Sequence, residues 1–357
     1  MTISRRNVVS SSAAILAAAG LQQEVKAVNN AASDDPTALP VPAHAIPIPD
    51  TISPEAKAFL AGAAKRIRAT LAGTHEQPPG DPAALLKYFQ AMASAFKGTS
   101  ETIDLPSGGK LYRLTPDARA GRLAEVAYMD IHGGGFVQGG GEACKYTGMA
   151  RAADYGFEVY SVDYRMLPDH PYPAPLDDCV AAYKHVLEKY KPANIVVGGA
   201  SAGGNLAATL MLRARAEGLP LPAGLMLMTP VVDMTGAGDS RQTNRYVDVV
   251  IGDGYQPKPR VANMEYGSNA DRKDPLVSPI YGDVSNFPPT FLSTGTRDLL
   301  LSDTVRMHRR LRAAGVSADL HVTEAGSHGG FMGLAPEDRE VLSESRKFAM
   351  GLFGIKT

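Results

Sequence analysis

From Ser53-Pro54 onward, Phe59, Leu60, Ala63 and Ile67 recur every three or four positions behind a serine N-cap and a first-turn proline, the spacing of one helix face. Leu85, Leu86, Phe89, Met92 and Phe96 repeat the pattern, so two amphipathic helices are predicted ahead of the first strand. Short β-favouring runs then take over: Lys110 to Leu114, Ala124 to Ile131, Glu158 to Val162, Ile195 to Gly198, Leu225 to Met228, Thr290 to Ser293 and Leu320 to Thr323. Helical stretches near 175–190, 202–217, 302–314 and 337–352 separate the later runs. This alternation predicts an α/β fold, a mostly parallel sheet flanked by helices on both faces. The stretch from Asp233 to about Asn286 breaks the rhythm. It holds too many Gly, Pro, Asn and Asp residues for a crossover helix and is too long for a bare loop, so it is expected to be an inserted lid packed with the two N-terminal helices.

Composition narrows the function more than the fold. A formal charge of −1 with no long run of like charge gives no electrostatic reason to expect nucleic acid or an anionic membrane as partner, and favours a small, roughly neutral substrate. The 357 residues, 44% hydrophobic with 36 Gly and 26 Pro, are expected to form one large domain with an accessory lid. At the start of the chain, Arg5-Arg6, an apolar small-residue run through Ala13 to Leu21 and the small-residue site Val25-Lys26-Ala27 have the order of a twin-arginine export signal. The run is too short and too rich in Ala and Gly to span a bilayer stably. Residues 28 to about 50 carry no apolar periodicity and read as a linker or arm. Cys144 and Cys179 cannot be paired from sequence, and two independent buried thiols are the default expectation.

The chemistry concentrates in Gly199-Ala200-Ser201-Ala202-Gly203-Gly204, which follows the apolar run Ile195-Val196-Val197 and precedes Leu206-Ala207-Ala208. A serine at a sharp strand-to-helix turn projects its hydroxyl above the sheet edge, and glycines on either side leave room for the strained backbone. His132-Gly133-Gly134-Gly135 ends another strand. Its glycines permit the Gly133 and Gly134 N–H groups to converge on one point, and the Ala202 N–H can join them to form an oxyanion hole. A serine hydroxyl needs a base and a carboxylate that fixes the base's tautomer, in the chain order serine, acid, histidine. His328, in the loop Gly326-Ser327-His328-Gly329-Gly330, is the predicted base; His308 falls in a charged helix and His321 inside a strand. Asp298, just beyond the strand Thr290 to Ser293, is the predicted acid, with Asp303 its competitor at the start of the next helix, where a carboxylate usually caps the first turn.

With these motifs in this order, the chain resembles the bacterial hormone-sensitive-lipase-like esterases, a branch of the α/β hydrolases. The matching residues also include Val162-Asp163-Tyr164-Arg165 and the run from Pro168 to Asp178, and together they cover about residues 105 to 350. The resemblance implies an α/β-hydrolase fold with an eight-stranded sheet and a helical cap, and hydrolysis of short- to medium-chain acyl esters by a serine carboxylesterase without cofactor or metal. Together with the N-terminal readings, this divides the chain into an expected export signal (1–27), an arm (28–50), N-terminal cap helices (51–100) and a hydrolase domain (101–357) with a cap insertion at about 233–286. In such a fold Asp163, Arg165 and Asp178 are expected to brace loops and His170 to serve packing. Met149, Tyr164, Tyr246 and Phe331 are expected to line the substrate pocket. One departure stands out: the family usually carries Asp, Thr or Glu before the nucleophile, and here Ala200 removes that hydrogen bond, which bears on substrate range or stability. The same constellation can cleave amides or lactones, and a ligand-binding protein on this scaffold is a further alternative that the presence of His328 disfavours. The oligomeric state stays open, a dimer included.

Overall fold

The computed structural model describes residues 39, 45–72, 82–252 and 266–356. The export signal, most of the arm and part of the expected insertion lie outside them. Helix α1 (Pro54–Leu71) begins where Ser53 Oγ accepts the Ala56 N–H at 3.1 Å. Glu337, far along the chain, accepts the Ser53 N–H and Oγ–H at 2.6 and 2.8 Å and so ties the helix start to the C-terminal region. After α2 (Pro82–Met92) come β1 (Gly98–Asp104), β2 (Lys110–Pro116), β3 (Ala127–Ile131), α3 (Glu142–Tyr155), β4 (Glu158–Asp163), α4 (Ala174–Leu187) and β5 (Ile195–Ala200). The order continues with α5 (Ala202–Ala216), β6 (Gly224–Met228), the short α6 (Ser240–Thr243), β7 (Thr290–Gly295), α7 (Leu301–Ala313), β8 (Ala318–Thr323) and α8 (Pro336–Leu352).

The strands form one eight-stranded sheet in the order β1-β2-β4-β3-β5-β6-β7-β8, antiparallel at the β1, β2 and β4 pairings and parallel from β4 onward. This is the α/β-hydrolase fold expected from the sequence. Two elements were not expected. Strand β1 reads Gly-Thr-Ser-Glu-Thr-Ile-Asp and is exposed at every position but Ile103, so it carries no apolar alternation; its whole length pairs with β2, from Gly98 opposite Pro116 to Asp104 opposite Lys110. Helix α3 is diluted by Gly and Ala, because it lies tight on the sheet: a Cβ on Gly148 would come within 2.6 Å of Leu114 Cδ1 and 2.7 Å of Ser161 Cβ.

Period-two alternation sends strand side chains into two cores. Met129, Ile131, Tyr160, Val162, Ile195, Val197, Leu225 and Leu227 face one side with α4, α5 and α7, while Tyr128, Val159, Val196 and Met226 face the other with α3 and α8. Cys179 belongs to the first core and Cys144 to the second, so the two free, buried thiols are separated by the sheet. A third cluster joins Ile52 and α1 residues Ala56, Phe59 and Leu60 to Val250, Ala325, Phe331 and Ala335. The expected braces are in place: Arg165 holds the fully buried Asp178 through its backbone N–H (2.8 Å) and its guanidinium (3.0 Å), and Asp163 accepts from Gly141 N and Tyr112 Oη at 2.9 and 3.1 Å. His170 is exposed rather than packed, a correction that follows from its place on a surface turn. Among the described residues no helix is long and apolar enough to cross a membrane.

Candidate active site

Four parallel strands end at one edge of the sheet, and each delivers part of the site there. Ser201 follows β5 with φ 56° and ψ −115°, a conformation that L-residues avoid unless the surroundings impose it. Its N–H donates to Met228 O at 2.9 Å, and its carbonyl accepts from Asn205 N and Val231 N at 3.1 and 3.2 Å. Asn205, buried at the start of α5, donates to Val231 O and Val277 O at 3.0 and 2.9 Å and locks the elbow to two loops. The flanking glycines are obligatory, since a Cβ on Gly199 would lie 2.3 Å from Gly203 O and one on Gly203 would lie 2.0 Å from Ile131 O. Backbone bonds therefore hold the turn that the Ala200 side chain cannot support.

The glycine loop after β3 lies against this elbow. A Cβ on Gly133 would be 2.9 Å from Ala200 O and 3.5 Å from Ser201 Cβ, so the loop can approach only as glycine. Gly134 and Gly135 take φ of 112° and 64°. Among the described residues the N–H groups of Gly133, Gly134 and Ala202 donate to no protein acceptor. Beneath them the buried His132 ring stacks on Tyr164 at 4.1 Å between centroids, and Tyr164 Oη donates to His132 O at 3.0 Å. Burial holds the His132 imidazole below its ordinary pKa, hence neutral. His132, Cys144 and Asp163 bring one donor atom each within 4.8 Å of one another. Cys144 Sγ and the Asp163 oxygens are already engaged by Ser161, Gly141 and Tyr112, and burial pushes the Cys144 thiol up, away from the thiolate a metal would need.

Beyond β7 and β8, Asp298 and His328 meet. His328 Nδ1 is 3.1 Å from Asp298 Oδ1, and both residues are buried. The same Asp298 oxygen accepts Leu300 N at 2.8 Å, and Oδ2 accepts Thr294 Oγ1 at 2.9 Å, so the carboxylate is fully oriented. Asn244 donates to the Asp298 and Thr296 carbonyls at 2.8 and 3.1 Å. Burial alone would push the His328 pKa down. The Asp298 charge and hydrogen bond, helped by Asp248, outweigh that and raise it above the ordinary imidazole value. Asp303, the rival acid, is turned away: its Oδ2 accepts Val232 N and Asp233 N at 3.0 and 3.2 Å and pairs with Arg241 at 3.2 Å. His308 contacts Ala318 O instead.

The pocket expectations fare differently. Met149, half-buried on α3, packs against the core on the α3 and α8 side of the sheet. Tyr164 is buried under the glycine loop, and Phe331 is fully buried edge-on to Phe59 at 5.9 Å between centroids, so both support loops. Tyr246 is 51% exposed with the Arg245 guanidinium over its ring. Asp248, Asn244, Thr294 and Asn205 were not anticipated. None belongs to a motif; Asp248, Asn244 and Asn205 act through contacts with chain distant in sequence, and Thr294 through Asp298 just after its own strand.

A family model described as alpha/beta hydrolase fold matches residues 128–332. An esterase of Acinetobacter venetianus is 30% identical over 241 residues, covering 66% of this chain and 78% of its own. Among solved structures, an esterase called E25 is 33% identical with a TM-score of 0.75, covering 88% of this chain and 98% of its own. A homologue of hormone-sensitive lipase from a metagenome library, EstE7, is 27% identical with a TM-score of 0.70, covering 85% of this chain and 100% of its own.

Proposed function

We propose, from the premise that this chain belongs to the α/β-hydrolase family and is a carboxylesterase of its hormone-sensitive-lipase-like branch, that it cleaves short- to medium-chain acyl esters through a Ser201 acyl-enzyme. Ser201 Oγ attacks the ester carbonyl while His328 takes its proton. Asp298 holds Nδ1, which leaves Nε2 as the nitrogen to take the hydroxyl proton once substrate brings the two together. The Gly133, Gly134 and Ala202 N–H groups receive the oxyanion, each such donor contributing about 3 kcal/mol to transition-state stabilisation in comparable sites. Protonated His328 then gives its proton to the leaving alcohol, and water repeats the sequence on the acyl-enzyme. The observation that carries this reading is the buried Asp298–His328 pair at the same sheet edge as a serine held at φ 56°. Helices α1 and α2 with the insertion serve as the cap; Tyr88 of α2 already reaches the histidine loop, donating to Met332 O at 2.7 Å.

A p-nitrophenyl ester series from acetate to dodecanoate tests the substrate class. The specificity constant should peak at short to medium chains and collapse at dodecanoate, and the matching anilides should turn over at least about a hundredfold more slowly, a gap of about 2.7 kcal/mol in barrier. Anilides or lactones outrunning the esters would displace this reading. The N-terminal signal implies export, so protein recovered outside the cytoplasm should begin after Ala27 on N-terminal sequencing; an intact Met1 there would count against it.

A further inference from the structure

We propose that Asp248 is a positioning residue for this reaction, a single buried carboxylate that fastens the acid loop and the histidine loop to each other from within the insertion. Its Oδ2 accepts two backbone N–H groups, that of Leu299 at 2.8 Å and that of His328 at 3.3 Å. One belongs to the neighbour of Asp298 and the other to the base itself. Its Oδ1 accepts Val250 N and Ile251 N at 2.8 and 3.1 Å, which makes the local turn rigid. Asp248 is 1% exposed, and the adjoining Val250 is clamped in the apolar cluster with Phe59 and Phe331. The carboxylate is thus anchored on one side and holds two loops on the other. With its separation from Asp298 and His328 fixed, the imidazole plane has one orientation relative to its acid.

The charge matters as well as the bonds. Four N–H donors converge on two oxygens, which only an ionised carboxyl can serve fully; an amide in its place offers one acceptor and would set its own N–H₂ against two donors. Burial and the Asp298 charge push the Asp248 pKa up to about 6, while His328 and the backbone N–H groups oppose them, so the group is ionised at neutral pH. The charged groups around it are Asp298 and His328 from the two loops. Arg241, from the same insertion, acts on His328 and is itself paired with Asp303 of α7. The negative charge of Asp248 raises the His328 pKa, so its removal has a definite sign.

This inference rests on the triad reading, and the two can be separated. Covalent labelling of Ser201 by a p-nitrophenyl phosphonate in the unmutated enzyme tests the triad and supplies an active-site titre. With kcat taken per titrated site, Asp248→Asn should lose about 10- to 100-fold in kcat, with KM within about twofold of the parent. The acid limb of its kcat/KM profile should move to lower pH by about half a unit or more. Asp248→Glu, which keeps the charge, should leave the limb near its original position while kcat stays depressed. Should the amide variant not fold, the glutamate variant's limb and the Leu299 and His328 amides of the parent decide the matter: held by one carboxylate, these amides should show matching hydrogen-exchange protection. An unmoved limb in Asp248→Asn, a kcat within twofold of the parent, or widely different protection of the two amides would overturn the proposal even if Ser201 is labelled. Failure of the phosphonate to label Ser201 would instead remove the triad reading.

Discussion

Alanine at position 201 is expected to lower kcat on p-nitrophenyl acetate by about 10⁴-fold or more while leaving the fold intact, because the hydroxyl is the only atom removed and the remaining catalysis must come from the oxyanion donors and binding alone. The structural part of this expectation is as definite as the catalytic part. The elbow is fixed by Ser201 N and O through bonds to Met228, Asn205 and Val231, all of which alanine retains. Among the described residues the hydroxyl itself has no hydrogen-bond partner to lose. Thermal melts should therefore superimpose within about 1 kcal/mol, the scatter of an ordinary conservative change. More than a tenth of the parent activity in a folded Ser201→Ala protein would mean that some other nucleophile does the work.

Asp298→Asn should cost about 10⁴-fold in kcat, since an amide facing Nδ1 favours the wrong imidazole tautomer. The oxygen that faces Nδ1 also accepts Leu300 N, so an amide nitrogen placed there gives up that bond, and the loss combines the wrong tautomer with a loosened acid loop. Asp303→Asn makes the matching control: it touches Val232, Asp233 and Arg241, not His328, and should lower stability while kcat stays within about tenfold. If the two variants exchanged their effects, Asp303 would be the acid. The pH profile carries a sign of its own. His328 must be neutral to accept the serine proton, and its pKa is raised in the folded protein, so kcat/KM should fall on the acid side through a limb lying above the ordinary imidazole value of about 6.5. Neutralising Asp298 should move that limb downward. The linked stability runs the other way. A His328 pKa raised on folding contributes stability that is fully present below the unfolded-state value and is lost as pH climbs through the folded value; Asp248, raised to about 6, behaves alike over a lower window. The range in which the site becomes active is the range in which these two groups give least to folding.

Much of this was legible in the sequence because the constraints were local. A nucleophile elbow needs small residues beside Ser201, an oxyanion loop needs consecutive glycines after a strand, and parallel strands buried on both faces read as continuous apolar runs. Strand β1 escaped because an edge strand wet on both faces has no pattern to show, and α3 because close packing selected Gly148 over a larger apolar residue. Met149 illustrates a related limit: an apolar side chain on a helix declares that something will bury it, never which face of the sheet will do so. Asp248 shows the same limit in polar form. A carboxylate in a loop rich in Asp and Asn acquires meaning only through Leu299 and His328, about fifty and eighty positions away, and no spacing rule spans that distance.

That reach gives the insertion a consequence for recombination between relatives. A chimera that exchanges the stretch after β6 for one from another esterase would be read as a change of specificity, with the hydrolase body supplying the catalytic apparatus unchanged. Here the same exchange also replaces the Asp248 turn that accepts the Leu299 and His328 N–H groups, together with Val250, which packs with α1 and Phe331. The natural seam for modular exchange therefore lies outside residues 244–251, and a graft cut inside them would alter turnover and substrate range together.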